Sequence, residues 1–336
     1  MKFFKYAILL IISLLWLGGC SRSVLLVLAD AHIVVDDYRY GDLYRLSNLP
    51  QFKDPVTPCP ARPVAADSTN IHLYVIGDSF TEPERLSKQD LPVSRFHRTA
   101  WDKQDTIQLD PAARNVLLIE SVERHFREHA AAPIKNLFVI SDSNRTNVPR
   151  QVPASWGSQL VVAIKGKGME ERLETVLFSH DFFLWFRELK AALTLTAFRR
   201  VSPTVSLSSN RHQIFIALDT DSTKTLNAGT SPVSDREISG LVATVNETAT
   251  HYRALGFRQV LLSIIPNKAT IQETARQRNY NHLIERVQTS PTLQVPVVDA
   301  YSLFQQRTQP LYALGDSHWN CTGRAIWIDA VLANLR

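Results

Sequence analysis

Six short apolar runs limit what this chain can fold into. They are 71–76 (Ile-His-Leu-Tyr-Val-Ile), 116–119 (Val-Leu-Leu-Ile), 137–140 (Leu-Phe-Val-Ile), 213–218, 259–265 and 295–298. Each is too short for a core helix and too continuously apolar for a strand with one wet face. Runs of this kind suit strands buried on both faces. Amphipathic segments at about 235–255, 271–288 and 323–335 separate the later runs and read as helices. The first carries its own punctuation: Ser234 and Glu237 form a capping box, and Gly256 marks a stop. Strands alternating with helices predict an α/β fold with a doubly wound, mostly parallel sheet, helices on both faces.

The start of the chain predicts export. Lys2 and Lys5 form a positive region, Ala7 to Leu17 is almost wholly apolar, and Leu17-Gly18-Gly19-Cys20 closes the segment. This layout resembles a bacterial lipoprotein signal, which implies lipidation at Cys20. An uncleaved membrane anchor and a simply cleaved signal are the alternatives. Each places the body on the periplasmic or extracellular face of a bacterial envelope. Residues 21–70, rich in proline from Pro50 to Pro63, read as an arm or stalk. Residues 71–336 read as the main domain. Residues 141–212 break its rhythm with a long helical pattern, about 169–199, that carries an aromatic stripe from Phe178 to Phe186; they read as an insertion or lid. The stripe suits a helix core, a groove wall, or a contact with membrane or partner.

The formal charge of +5 includes the two leader lysines. That bias is small, and no basic run is interleaved with aromatics, which argues against nucleic-acid binding. Three scattered cysteines give no metal-site spacing. In an oxidising compartment Cys59 and Cys321 could form a bridge beside the C-terminal histidine, or both could stay free.

Two motifs carry chemistry. Gly77-Asp78-Ser79-Phe80 leaves the run 71–76, and beyond the carboxyl end of a strand is where open α/β sheets bind ligands. Ser79 is placed there for nucleophilic attack, and its own N–H for stabilising an oxyanion; a helix N-cap is the alternative use of such a serine. Gly77 would let the backbone turn. Asp316-Ser317-His318-Trp319-Asn320 sets a carboxylate two residues before a histidine, close enough to orient the imidazole as a general base. The plainer use of that motif is an N-cap turn with a surface histidine.

Taken together these motifs resemble the SGNH (GDSL-type) hydrolase superfamily, whose nucleophile block looks like Gly77–Phe80 and whose C-terminal block looks like Asp316–His318. Asp-x-His-Trp-Asn, with Gly323 after it, is similar to the branch holding the alginate O-acetyltransferases and DHHW-type proteins. Glu123-Arg124 after a strand, Pro266-Asn267-Lys268 after another, and Tyr280-Asn281 opening a helix are similar too. The order differs from the alginate enzymes, where the Asp-His block precedes the serine, and the spacing Asp-x-His is one residue shorter than the usual SGNH block. No block-II glycine or block-III asparagine is assignable. The resemblance implies a flavodoxin-like three-layer fold and a Ser79–His318–Asp316 triad without metal or organic cofactor. It also implies an acyl donor, a carbohydrate acceptor, and a membrane-bound acyltransferase as partner. O-acetylation of an exported polysaccharide is the first expectation. A carbohydrate acetylesterase and a non-catalytic carbohydrate-binding or scaffold protein are the others.

Four further residues are candidates for substrate contact. Arg124 either serves the site or pairs with Glu120 at helical i, i+4 spacing. Lys268 and Asp219 lie beyond strand ends, facing a cleft or solvent. Trp319 adjoins His318. His72, His125, His129 and His212 read as surface or boundary residues.

Overall fold

The computed structural model describes residues 2–20, 41–43, 46, 49–54, 57–60, 70–140, 181–273 and 278–336. Helix α1 (Lys2–Cys20) is followed, from residue 71, by β1 (Ile71–Gly77), β2 (Arg95–Ala100), β3 (Asp105–Ile107), β4 (Arg114–Val122), α2 (Glu123–His129) and β5 (Leu137–Val139). Next come α3 (Asp181–Thr196), β6 (Val205–Leu207), β7 (Ile214–Ile216), α4 (Ala217–Thr220), α5 (Asp235–Ala254) and β8 (Gln259–Ile265). The chain closes with α6 (Lys268–Gln272), α7 (Leu283–Gln288), α8 (Ala300–Gln305) and α9 (Cys321–Leu335). Two compact units divide these elements: Met1–Val56 with Pro149–Ser202, and Thr57–Val148 with Pro203–Arg336. The first holds α1 and α3, the second everything else. Most of the expected arm and residues 141–180 of the expected insertion lie outside the described residues. Among the described residues, no helix is long and apolar enough to cross a membrane.

The second unit is an α/β fold built on a parallel sheet in the order β2-β1-β4-β8. Alternate side chains of β1, β4 and β8 enter two separate cores. Tyr74, Ile76, Leu117, Ile119, Leu262 and Ile264 pack with Phe126 of α2, Val242 and Val245 of α5, and Ile284 of α7. Leu73, Val75, Val116, Leu118, Leu261 and Ile265 pack with Phe304 of α8 and Trp327 and Ile328 of α9. Both faces are therefore dry, as continuous apolar runs require. The Ser234 hydroxyl caps α5 by accepting from the Glu237 N–H.

Several sequence expectations shift. Strand β2, Arg-Phe-His-Arg-Thr-Ala, is too polar to read as buried; it is the sheet's edge, where arginines discourage further pairing. The run 137–140 leaves the main sheet and pairs in parallel with β3. The run 213–218 is a short strand, β7, antiparallel to β6, that passes directly into α4. The run 295–298 contributes a single bridge, Val297 to Leu262. Of the helix expected over 271–288, the described residues show the end of α6 and the whole of α7, with residues 274–277 outside the described residues. His282, at φ 56°, stands at the start of α7, where the Asn281 side chain accepts from the Leu283 N–H at 2.9 Å.

Cys59 and Cys321 form a disulfide across 262 residues of chain. It ties a proline-rich segment to the first turn of α9. Closing so long a loop restricts the unfolded chain most. Replacing both cysteines by serine is expected to cost about 2–5 kcal/mol in chemical denaturation, whereas an unchanged midpoint would show that the bridge adds no stability.

Candidate active site

Ser79 sits where β1 ends. Gly77 is its last residue, Asp78 is extended, and Ser79–Thr81 form one 3₁₀ turn. Gly77 is needed for space rather than for a turn: a Cβ there would stand 2.2 Å from Thr81 Oγ1 and 2.7 Å from Glu120 Oε2. Those two groups pin the turn. Glu120 Oε2 accepts from the Asp78 N–H at 2.8 Å and the Thr81 hydroxyl at 3.0 Å. From the other side Arg98 Nη2 donates to the carbonyls of Gly77 at 2.9 Å and Asp78 at 2.7 Å. Asp78 turns its carboxylate inward, accepting from the Val122 N–H at 2.7 Å and the Ser121 hydroxyl at 3.2 Å. Burial, reinforced by the Asp78 charge, pushes the Glu120 carboxyl well above its usual range. Burial also raises Asp78, against the hydrogen bonds that favour its ionised form. Both shifts favour the protonated form, and Glu120 is the more deeply buried of the two. The expected Glu120–Arg124 helical pair does not form, because Glu120 is in β4 and only Arg124 is in α2.

The other half of the site lies on the loop before α9. A bridge between Tyr312 and Trp319, with the Ala313 N–H donating to the His318 carbonyl at 3.1 Å, folds that loop back on itself. Asn320 caps α9 by accepting from Thr322 and Gly323. Gly323 allows the close approach, since a Cβ there would stand 2.3 Å from the Leu311 carbonyl oxygen. Asp316 Oδ1 meets the backbone N–H of His318 at 2.9 Å and its ring Nδ1 at 2.5 Å. His318 Nε2 meets Ser79 Oγ at 2.7 Å. The three sequence-expected residues thus converge.

These contacts assign the tautomer. Nδ1 carries the hydrogen and donates it to Asp316, so Nε2 is free to accept from the Ser79 hydroxyl. Such a pair can deprotonate the serine as it attacks an electrophilic carbon. Ser79 is only partly buried, whereas His318 is 6% exposed and packs its ring 4.7 Å from Phe80. The oxygen can meet a substrate while the base stays shielded.

Arg85 belongs to the site but carries no sequence signal. Its Nη2 lies 3.2 Å from His318 Nδ1 and 3.8 Å from Asp316 Oδ2. Because Nδ1 already bears a hydrogen, the guanidinium acts on the Asp316 carboxylate instead, balancing its charge. Arg324 holds Arg85 in place through the Arg85 carbonyl at 2.5 Å and pairs with Asp90. Burial would raise Asp90, but the Arg324 and Ser87 hydrogen bonds outweigh it and keep the carboxyl below its usual range.

The remaining candidates are internal. Lys268, 1% exposed, faces neither cleft nor solvent. Its ammonium donates to the carbonyls of Ala313 and Leu314 at 2.7 Å and of Asp316 at 3.2 Å, so it holds the loop that carries the acid. Arg124 and Asp219 are buried and pair with each other at 3.3 Å. Burial pushes Asp219 up even so. Trp319 is buried, edge-on to Phe80 at 4.9 Å between ring centres. His129 is more than a surface residue: it stacks on Trp101 and its ring meets the Ser121 hydroxyl at 2.8 Å, and burial brings it down to about 4. Cys20 ends α1, and its side chain is outside the described residues. Asn267 and Glu123 stood in the motif segments of the sequence but were given no role there. Glu123 accepts from the Asn267 N–H at 2.9 Å and the Thr270 hydroxyl at 2.7 Å, joining the ends of β4 and β8. The Asn267 amide nitrogen is fully buried with no hydrogen-bond partner. Comparison with protein-family models, curated proteins and solved structures finds no match to this chain.

Two tests address this architecture without assuming an activity. Lys268→Met strands three carbonyls, and a buried acceptor left unsatisfied costs about 1–3 kcal/mol. Denaturation should register that loss, and amide exchange should quicken at Ala313–His318; unchanged exchange there would contradict the bracing role. Burial raises Glu123 from 4.5 to about 7. Between those values the unfolded chain has released a proton that the folded chain still holds, so stability is full below the window and falls as pH rises through it. Glu123→Gln should remove this dependence, gaining on the wild type from pH 5 to pH 8 in paired denaturation curves.

Proposed function

We propose that this protein transfers acyl groups by covalent catalysis at Ser79, most specifically O-acetylation of an exported carbohydrate. The observation that carries the proposal is the continuous hydrogen-bonded chain Ser79 Oγ–His318–Asp316 at the carboxyl end of β1. The same geometry, with helices over both faces of a parallel sheet, supports a doubly wound, three-layer arrangement of the SGNH type.

In the first half-reaction Ser79 Oγ attacks the donor's acyl carbonyl while its proton passes to His318 Nε2. The carbon–oxygen or carbon–sulfur bond to the donor then breaks, and His318 protonates the departing group. In the second, a sugar hydroxyl attacks the acyl-serine, His318 takes its proton, and Ser79 leaves and recovers a proton from His318. Asp316 keeps the ring oriented and stabilises the transient imidazolium. The Ser79 N–H is placed to donate to the oxyanion of each tetrahedral intermediate. Arg85 offsets the Asp316 charge between turnovers. The resemblance of the leader to a lipoprotein signal supports a site on the outer side of the inner membrane, tethered through Cys20 or an uncleaved segment.

The test is turnover of a chromogenic acetyl ester, with and without an oligosaccharide acceptor. Ser79→Ala and His318→Ala should each abolish nearly all of it, and the double variant should be scarcely worse, because the residues act as one unit. Asp316→Asn should retain the fold and lose on the order of 10⁴-fold through the wrong tautomer. Turnover that rises with acceptor and leaves acetylated sugar identifies a transferase; acetate release indifferent to acceptor identifies an esterase. Turnover that survives Ser79→Ala rejects the assignment.

A further inference from the structure

Helix α3 carries two apolar faces, one buried and one exposed. Leu184 and Leu195 are buried, with Glu188 and Ala191 between them half-covered. Rotated away from that stripe, Trp185, Leu189 and Leu193 stand at i, i+4 and i+8. They are 55%, 43% and 51% exposed, with Phe186 beside Trp185 and Phe198 just beyond the helix end. Spacing of three and four residues places such side chains on one surface. A patch this aromatic and this continuous on the outside of a folded chain marks a contact site.

The charges around the patch say which contact. Lys190 is exposed at its edge, and Arg199 and Arg200 are exposed just past its end. Of the two acids on the helix, Glu188 is paired with Lys53 at 3.2 Å. A cationic rim around Trp, Phe and Leu is the pattern of a helix that lies in a lipid interface, with the rings at headgroup depth and long basic side chains reaching the phosphates. A second copy of the chain fits less well. Two such rims would repel. A face about 24 Å long and about one helix diameter wide also falls far below the roughly 800 Å² per partner of a stable complex. The same compact unit contains α1, whose Phe3, Phe4, Leu9 and Leu10 are also exposed.

We infer that α3 docks on an anionic lipid surface through Trp185, Leu189 and Leu193, a second membrane contact besides the N-terminal segment. The inference is independent of the chemistry at Ser79.

Tryptophan quenching tests it on the full-length chain. Vesicles of phosphatidylethanolamine and phosphatidylglycerol with brominated acyl chains quench rings that enter the bilayer boundary. Wild type and Trp185→Phe, a substitution mild enough to leave the fold intact, are compared at equal bound protein. The wild type should show an extra quenched component absent from the variant. Leu189→Glu with Leu193→Glu should abolish that component while α1 still holds the chain on the vesicles. Equal fractional quenching in wild type and Trp185→Phe overturns the inference. So does a Trp185 component that survives the double glutamate variant, or a lipid-free shift of Trp185 emission that grows with protein concentration together with a dimeric mass, which would assign the face to self-association.

Discussion

A sheet that is dry on both faces leaves its polar chemistry one place to go. The middles of β1, β4 and β8 are mostly apolar and buried, so charged and hydrogen-bonding residues collect mainly towards the strand ends. Glu120 lies near the end of β4 and Glu123 just past it, Asn267 and Lys268 follow β8, and Ser79 follows β1. Parallel strands all stop on the same side, so three chain segments distant in sequence deliver their polar ends to one region. The site is a consequence of the sheet before it is a consequence of any motif.

Gathering charge in a dry place is costly, and the structure answers each group separately. Lys268 faces three carbonyls, Arg124 faces Asp219, and Glu120 accepts from the Asp78 N–H and the Thr81 hydroxyl. Such arrangements contribute little net stability relative to an apolar core, but removing one partner leaves the other stranded. Their effect is to fix backbone. Glu120 and Arg98 hold the turn that carries Ser79, while Lys268 holds the loop that carries Asp316. A hydroxyl and an imidazole supplied by segments 239 residues apart can then meet at 2.7 Å. Preorganisation of this kind determines whether a serine and a histidine are a catalytic pair or two neighbours.

Much of this was legible in the chain, for identifiable reasons. Strands β1, β4 and β8 announce themselves because burial on both faces leaves an uninterrupted apolar record. The serine and the Asp-x-His pair are legible because their local spacing has chemical meaning. Strand β2 was not, since an edge strand is written in arginine and threonine. Arg85 was not, because nothing in Glu-Pro-Glu-Arg-Leu ties it to a histidine 233 positions away. Lys268 was seen but misjudged: lysine beyond a strand end usually means solvent or substrate, and only the folded loop 313–316 shows three carbonyls waiting for it. The helical reading over 271–288 ran through His282 because residue pattern alone does not reveal the left-handed conformation there.

The central claim is that Ser79 is a nucleophile activated by His318, and covalent labelling tests it most directly. Phenylmethylsulfonyl fluoride reacts with a serine whose proton a base removes, and leaves ordinary hydroxyls alone. Intact-mass and peptide analysis should find one adduct, on Ser79, that fails to form in the folded His318→Ala variant. An unmodified Ser79 in the folded wild-type chain, or labelling that persists without His318, would contradict the account.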